Sequence, residues 1–258
     1  MGYWQDRTAA AQAALTKKST RAAERQLARY YERAMRNTID AFEATYDKLL
    51  ATVVDGKQPT PADLYKLDKY WKLQAQLRHE LTALGNRQIA ALSDVFEMNF
   101  FEVYYSWAAE GATPYTTISV DGAKQLINQI WAADGKSWSQ RVWDNTEALL
   151  ETLNDELVDC VITGKKTTEL KKKLQERFNV SYTRADTLAR TELAHIQTKA
   201  AEQRYKDYGI KKVEIWADKD ERRCEKCGAL HQKTYLIGEE IPLPAHPRCR
   251  CCIVPVVE

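Results

Sequence analysis

Two short runs near the C-terminal end hold the residues best suited to chemistry. The first is Cys224-Glu225-Lys226-Cys227, and about twenty residues later comes His246-Pro247-Arg248-Cys249-Arg250-Cys251. Zinc takes four thiolate or imidazole ligands in a tetrahedron, usually as two closely spaced pairs that the fold brings together. The C-x-x-C loop supplies one pair, and His246 with Cys249 or Cys251 supplies the other. The expected ligands are Cys224, Cys227, His246 and Cys249, with Cys251 as the substitute. If this segment is already a strand, Cys249 and Cys251 share a face and Cys252 points the other way, into apolar packing. The competing reading of the same residues is a cluster of buried free thiols, or a disulfide. The ion expected is Zn2+ in a structural role, because a catalytic zinc needs an open coordination position and a neighbouring general base. Glu225 and Glu239 are near in sequence but read as surface acids. No residue is assigned a catalytic role. His231 reads as a polar turn residue, and Cys160, alone on a helical stretch, as a small core residue.

The elements that must position this cluster are mostly helical. The chain has 258 residues with only 10 Gly and 7 Pro, so long helices meet few breakers. Hydrophobic residues make up 44% and charged residues 29%, a globular balance. The net charge of +2 does not by itself call for nucleic acid or membrane. No apolar run reaches the length of a membrane span, and the polar, alanine-rich stretch from Met1 to Lys18 does not read as a secretory signal. Five of the six cysteines fall within the last 35 residues, a clustering that favours metal binding over a disulfide framework.

Spacing predicts a helix over 19–52 with Leu27, Tyr31, Ala34, Thr38, Phe42, Thr45 and Leu49 on one face. Asp55-Gly56 ends it. Thr60 reads as the N-cap of the next helix, with Pro61 at its first position. That helix is expected to run over 62–110, with Gly85 as its weak point and Gly111 to Pro114 as its end. Its second half is an aromatic band, Phe96, Phe100, Phe101, Tyr104, Tyr105 and Trp107, which suits either a core or a surface for a large partner. Two helices follow over 121–162 around Asp134-Gly135, flanked by Trp131, Trp138 and Trp143, and Gly164 stops the second. A short helix over 168–178 precedes a longer one capped by Ser181 and stopped by Gly209. Alternating segments 211–216, 234–237 and 252–257 read as strands. The fold class is thus α+β, mainly α: long N-terminal helices and a helical body, with a small C-terminal β-unit stapled by a Cys/His zinc knuckle. The expected divisions are a long-helix region over 1–115, a helical body over 116–209 and the β-unit over 210–258.

The ordered string Ala189-Arg190-Thr191-Glu192, Tyr208-Gly209-Ile210, Trp216, Cys224-x-x-Cys227 and His246-Pro247-x-Cys249-Arg250-Cys251 resembles the Mu F-like family of minor head proteins, which includes the SPP1-type head morphogenesis proteins of tailed bacteriophages. The resemblance covers about residues 131–255. Family members often carry a glycine in the turn after the cysteine pair, where this chain has Leu230-His231-Gln232-Lys233. The resemblance implies a low-copy, non-enzymatic component of the virion. It would lie in the head interior near the portal, after assembly in the bacterial host cytoplasm. Implied partners are the portal protein and major capsid protein, and implied roles are head assembly and DNA packaging or ejection. No membrane contact is implied before ejection. Some relatives carry an added C-terminal toxin domain, and none is expected here.

Two further patterns have a plain and a functional reading. Lys17, Arg21, Arg25, Arg29 and Arg33 recur every four residues, forming a basic ridge that winds slowly around a helix. It suits phosphate contacts with packaged double-stranded DNA, joined by Arg248 and Arg250, or a solvated face partly paired with Glu24 and Glu32. Arg190-Thr191-Glu192 with His195 has the residue types of a catalytic cluster. No nucleophile or phosphate loop accompanies it, so the expectation is a polar network anchoring its helix to the β-unit. His79 reads as a lone histidine on a charged helix. The alternatives to a head protein are a DNA-binding module and, last, a metal-dependent hydrolase.

Overall fold

The computed structural model describes residues 3–51, 59–106, 117–217 and 223–256. The helix-ending runs Asp55-Gly56 and Gly111 to Pro114, together with Trp107, lie outside the described residues. In chain order the elements are α1 (Tyr3–Leu50), α2 (Pro61–Tyr65), α3 (Asp68–Tyr105), α4 (Val120–Ile127), α5 (Trp138–Ile162), α6 (Thr167–Asp207), β1 (Lys212–Trp216), α7 (Glu225–Leu230), β2 (Thr234–Leu236) and β3 (Cys252–Pro255). The fold is mainly helical with one small antiparallel sheet.

Several helices run further than their local signals predict. α1 begins at Tyr3 rather than near Ser19, since the alanine-rich stretch before Ser19 contains no breaker. α6 is continuous through residues 178–181, where a break was expected. Ser181 does not cap a new helix. It is buried, and its Oγ lies 3.1 Å from the Tyr31 hydroxyl. The stops at Gly164 and Gly209 occur as expected. Gly209 sits at φ 74°, with its N–H donating to Lys206 O and the Ile210 N–H to Tyr205 O, both at 3.0 Å. This is a Schellman closure, which needs the left-handed conformation that glycine adopts without strain.

The chain forms two compact units. Among the described residues, the first takes those up to Glu24, Ala91–Trp138 and those from Asp186 onward; the second takes Arg25–Ala90 and Ser139–Ala185. Each therefore draws segments from α1, α3 and α6.

In the second unit the α1 face is buried at Leu27, Tyr31, Ala34, Thr38, Phe42 and Leu49. Tyr46 is buried where Thr45 was expected, and its hydroxyl donates to Lys165 O at 2.8 Å. Leu73, Leu77, Leu81 and Leu84 of α3 and Leu149, Leu153 and Leu157 of α5 add to this core. Gly85 does not interrupt α3. It admits the indole of Trp143, which a Cβ at this position would meet at 2.6 Å. Gly85→Ala gains helix propensity but forces a rigid ring to shift. The variant should lose about 1–2 kcal/mol, read as a lower denaturant midpoint at unchanged slope.

In the first unit the aromatic band divides by helical spacing. Phe96, Phe100 and Tyr104, four apart, are fully buried, whereas Tyr105 is 39% exposed. The sheet has order β2-β1-β3, both pairings antiparallel, with Val213 opposite Pro255 and Trp216 opposite Cys252. Trp216, Cys252 and Val254 form a small apolar cluster joined by Ala9 of α1. Gln12 fastens α1 to this sheet: its amide donates to Ile253 O at 3.0 Å and to the Tyr205 hydroxyl at 3.1 Å. A sheet this small has little core of its own, so it relies on these contacts to the helices.

Candidate metal centre

The C-x-x-C pair sits on the first turn of α7. Cys224 is the N-cap and its Sγ accepts the Cys227 N–H at 3.4 Å, while Gly228 N–H donates to Cys224 O at 2.9 Å. That turn points both thiols to one side. Ending three residues before β3 begins, the run from His246 to Cys249 closes a tight turn through a 3.1 Å bond from Cys249 N–H to His246 O. The two turns meet at Cys227, whose Sγ lies 3.1 Å from His246 Nε2 and 3.9 Å from Cys249 Sγ.

Two triads result, each with its ligand atoms within 4.8 Å of one another: Cys224, Cys227 and His246; and Cys227, Cys249 and Cys251. Cys227 belongs to both. The spacing fits a metal, since ligands about 2.3 Å from a tetrahedral zinc stand about 3.7 Å apart. Cys227, Cys249 and Cys251 are buried and Cys224 is exposed; all the cysteines are free thiols in the structure. The cysteine-rich cluster can thus bind a metal. Hydrogen bonds from Cys251 hold the Cys249 thiol well below the usual range, and burial pushes Cys227 up. A hydrogen bond to Cys249 does the same to Cys251. Thiols packed this closely ionise together only when a cation compensates their charge.

The neighbouring candidates have other work. His231 caps α7: its Nδ1 accepts the Ala217 N–H at 3.3 Å and its ring meets Trp216 edge to face. Cys252 is buried with Trp216, and Cys160 is fully buried in the second unit. Glu239 accepts the Leu236 N–H at 2.8 Å and Glu225 is exposed at the helix start, so neither is held as a general base. His79 is an exposed residue of α3.

Arg190, Thr191, Glu192 and His195 do not converge on a common point. Arg190 donates to both Asp186 oxygens and reaches Glu24 at 3.3 Å. Glu192 accepts the Trp131 indole N–H at 2.9 Å, and His195 stacks on the same indole, centroids 4.5 Å apart. Trp131 lies in the linker between α4 and α5. Burial drops the His195 pKa to about 3, Lys199 adds to the shift and a backbone bond at Leu243 opposes it. Thr191 Oγ1 accepts the Arg248 N–H at 3.1 Å, which joins α6 to the metal-cluster turn. A cleft of about 840 Å³ beside His195, walled by Trp131, Lys199, Lys226 and Leu243, offers Glu240 as its only carboxylate among the described residues.

Lys17, Arg21, Arg25, Arg29 and Arg33 are all exposed. Glu24 pairs with Arg190 and Glu32 with Arg36, so the acids expected to neutralise the ridge are engaged elsewhere. The Arg248 guanidinium donates to Thr187 and Asp186. That engagement was not foreseen from sequence; an arginine between two ligand positions gives no sign of its partner on a distant helix.

A mainly helical protein ending in a small sheet tied to a metal-competent Cys/His cluster is the class these features define. Residues 151–254 match the family model for Phage Mu protein F like protein. That segment, which contains the whole cluster and all but the last residue of the sheet, is similar to the Mu F-like family of phage head morphogenesis proteins. No curated protein and no solved structure matches the chain. That family is one of structural phage head proteins. Among the described residues no helix is long and apolar enough to cross a membrane.

Proposed function

We propose that this chain is a low-copy, non-enzymatic component of a phage head that associates with the portal and acts in head assembly and in DNA packaging or ejection. The family match over residues 151–254 carries this reading. In this account residues 1–115 dock on portal or capsid, 116–209 form the helical body and 210–258 the metal-stapled end. A structural Zn2+ is held by Cys224, Cys227, His246 and Cys249, with Cys251 able to replace Cys249. The overlap of the two ligand triads at Cys227 supports this assignment; among the described residues, Glu239 is engaged at the Leu236 N–H and Glu225 is exposed, which favours structure over hydrolysis. Co-sedimentation with assembled portal tests the docking reading. A fixed, saturable ratio is expected, and separate migration at micromolar concentrations of both would contradict it.

A second activity, contact with packaged DNA, is favoured by one observation: the ridge cations have no carboxylate partners among the described residues. Replacing Arg25, Arg29 and Arg33 of the second unit together by glutamate should weaken duplex binding and reduce its salt slope by about 2–3. Salt-independent binding by the parent chain, or an unchanged slope in the variant, would remove DNA from the account.

A further inference from the structure

The turn carrying two candidate ligands has an arginine where its geometry favours glycine. His246, Pro247, Arg248 and Cys249 form that turn, with Arg248 at φ 60°. Proline second and a positive φ third is the type II pattern, whose third position prefers glycine or asparagine. A long side chain there costs backbone strain, and such strain persists only where the surroundings enforce it.

What enforces it is α6. Arg248 N–H donates to Thr191 Oγ1 at 3.1 Å, its Nε to Thr187 Oγ1 at 3.0 Å and its Nη2 to Asp186 Oδ2 at 2.8 Å. Asp186 is 7% exposed and also holds Arg190, which reaches Glu24 of α1. All of these residues belong to the first unit. Glycine at 248 would keep the turn and lose the two side-chain bonds.

We propose that Arg248 is a positioning residue that couples occupation of the metal centre to the order of the Asp186–His195 stretch of α6. This rests on reading the cysteine cluster as a zinc site. Ligation through His246 and Cys249 fixes the turn between them, and the fixed turn holds the guanidinium on Asp186 and Thr187. When the metal leaves, the turn relaxes and α6 loses a charge-assisted anchor.

The test is hydrogen exchange on the full chain, with zinc and after chelation, for the parent, Arg248→Gly and a paired Asp186→Asn, Thr187→Val variant. Zinc content is measured first. In the parent, chelation should speed exchange about tenfold in residues 223–231 and 246–252 and also in 186–195. Both variants should bind zinc and keep the effect in the first two segments but lose it in 186–195. An unchanged zinc effect on 186–195 in the variants, or none in the parent while zinc is bound, overturns the coupling alone. A parent chain that binds no zinc overturns the metal reading and the coupling together. The paired variant leaves the turn untouched, so it decides the matter if Arg248→Gly does not fold.

Discussion

Cys227→Ser should abolish metal binding and unravel the end of the chain. Cys227 is shared by both ligand triads, so it is required whether Cys249 or Cys251 completes the site. A serine hydroxyl does not replace a thiolate on zinc at neutral pH. Structural zinc contributes on the order of 10 kcal/mol of apparent folding free energy in small isolated domains. Here Gln12 and the buried Ile215 and Ile253 retain part of the sheet's stability, so we expect local unfolding rather than global collapse. Zinc should fall from one per chain to none, and the near-ultraviolet signal of Trp216 should weaken. Cys252→Ala is the control, because Cys252 lies on the apolar side with Trp216 and Val254. It should keep its zinc and lose only modest stability. Stoichiometric zinc in Cys227→Ser would show that the cluster is not the site.

Acid should destabilise the first unit through His195. Burial holds this imidazole neutral, with a pKa of about 3, whereas the unfolded chain protonates near 6.5. Between those values the unfolded state binds a proton that the folded state does not. The stability that His195 contributes is therefore complete above pH 6.5 and is lost progressively as pH falls towards 3. The loss should be on the order of 2 kcal/mol by pH 4.5. His195→Phe keeps a flat ring against Trp131 and removes the titrating group. Its stability should fall less steeply over the same range. Metal release in acid acts on both proteins, so the difference between them isolates His195. Parallel stability curves would contradict the assignment.

The sequence made the helix stops legible wherever one residue type decides the outcome. Gly164 and Gly209 needed only their own conformational freedom to end α5 and α6. The sheet was legible from alternation, and the cysteine cluster from spacing. The failures have a common physical cause, which is that the deciding partner lies far away in the chain. Ser181 looks like a helix cap until Tyr31 occupies its hydroxyl. Gly85 looks like a break until Trp143 needs the space. Trp131 flanks the break as expected, but its partners, Glu192 and His195, lie some sixty residues on in α6. Arg204 of α6 is wholly buried, its guanidinium 5.1 and 3.7 Å from the ring centroids of Tyr104 and Tyr208. A cation–π sandwich of that kind has no local signature.

The most direct test of the central claim is quantitative mass spectrometry of purified phage particles, with portal protein as the internal standard. The account predicts this chain in both procapsids and mature particles, at a low and constant ratio to portal. Its absence from both would contradict a head role and leave a free metal-binding protein to explain.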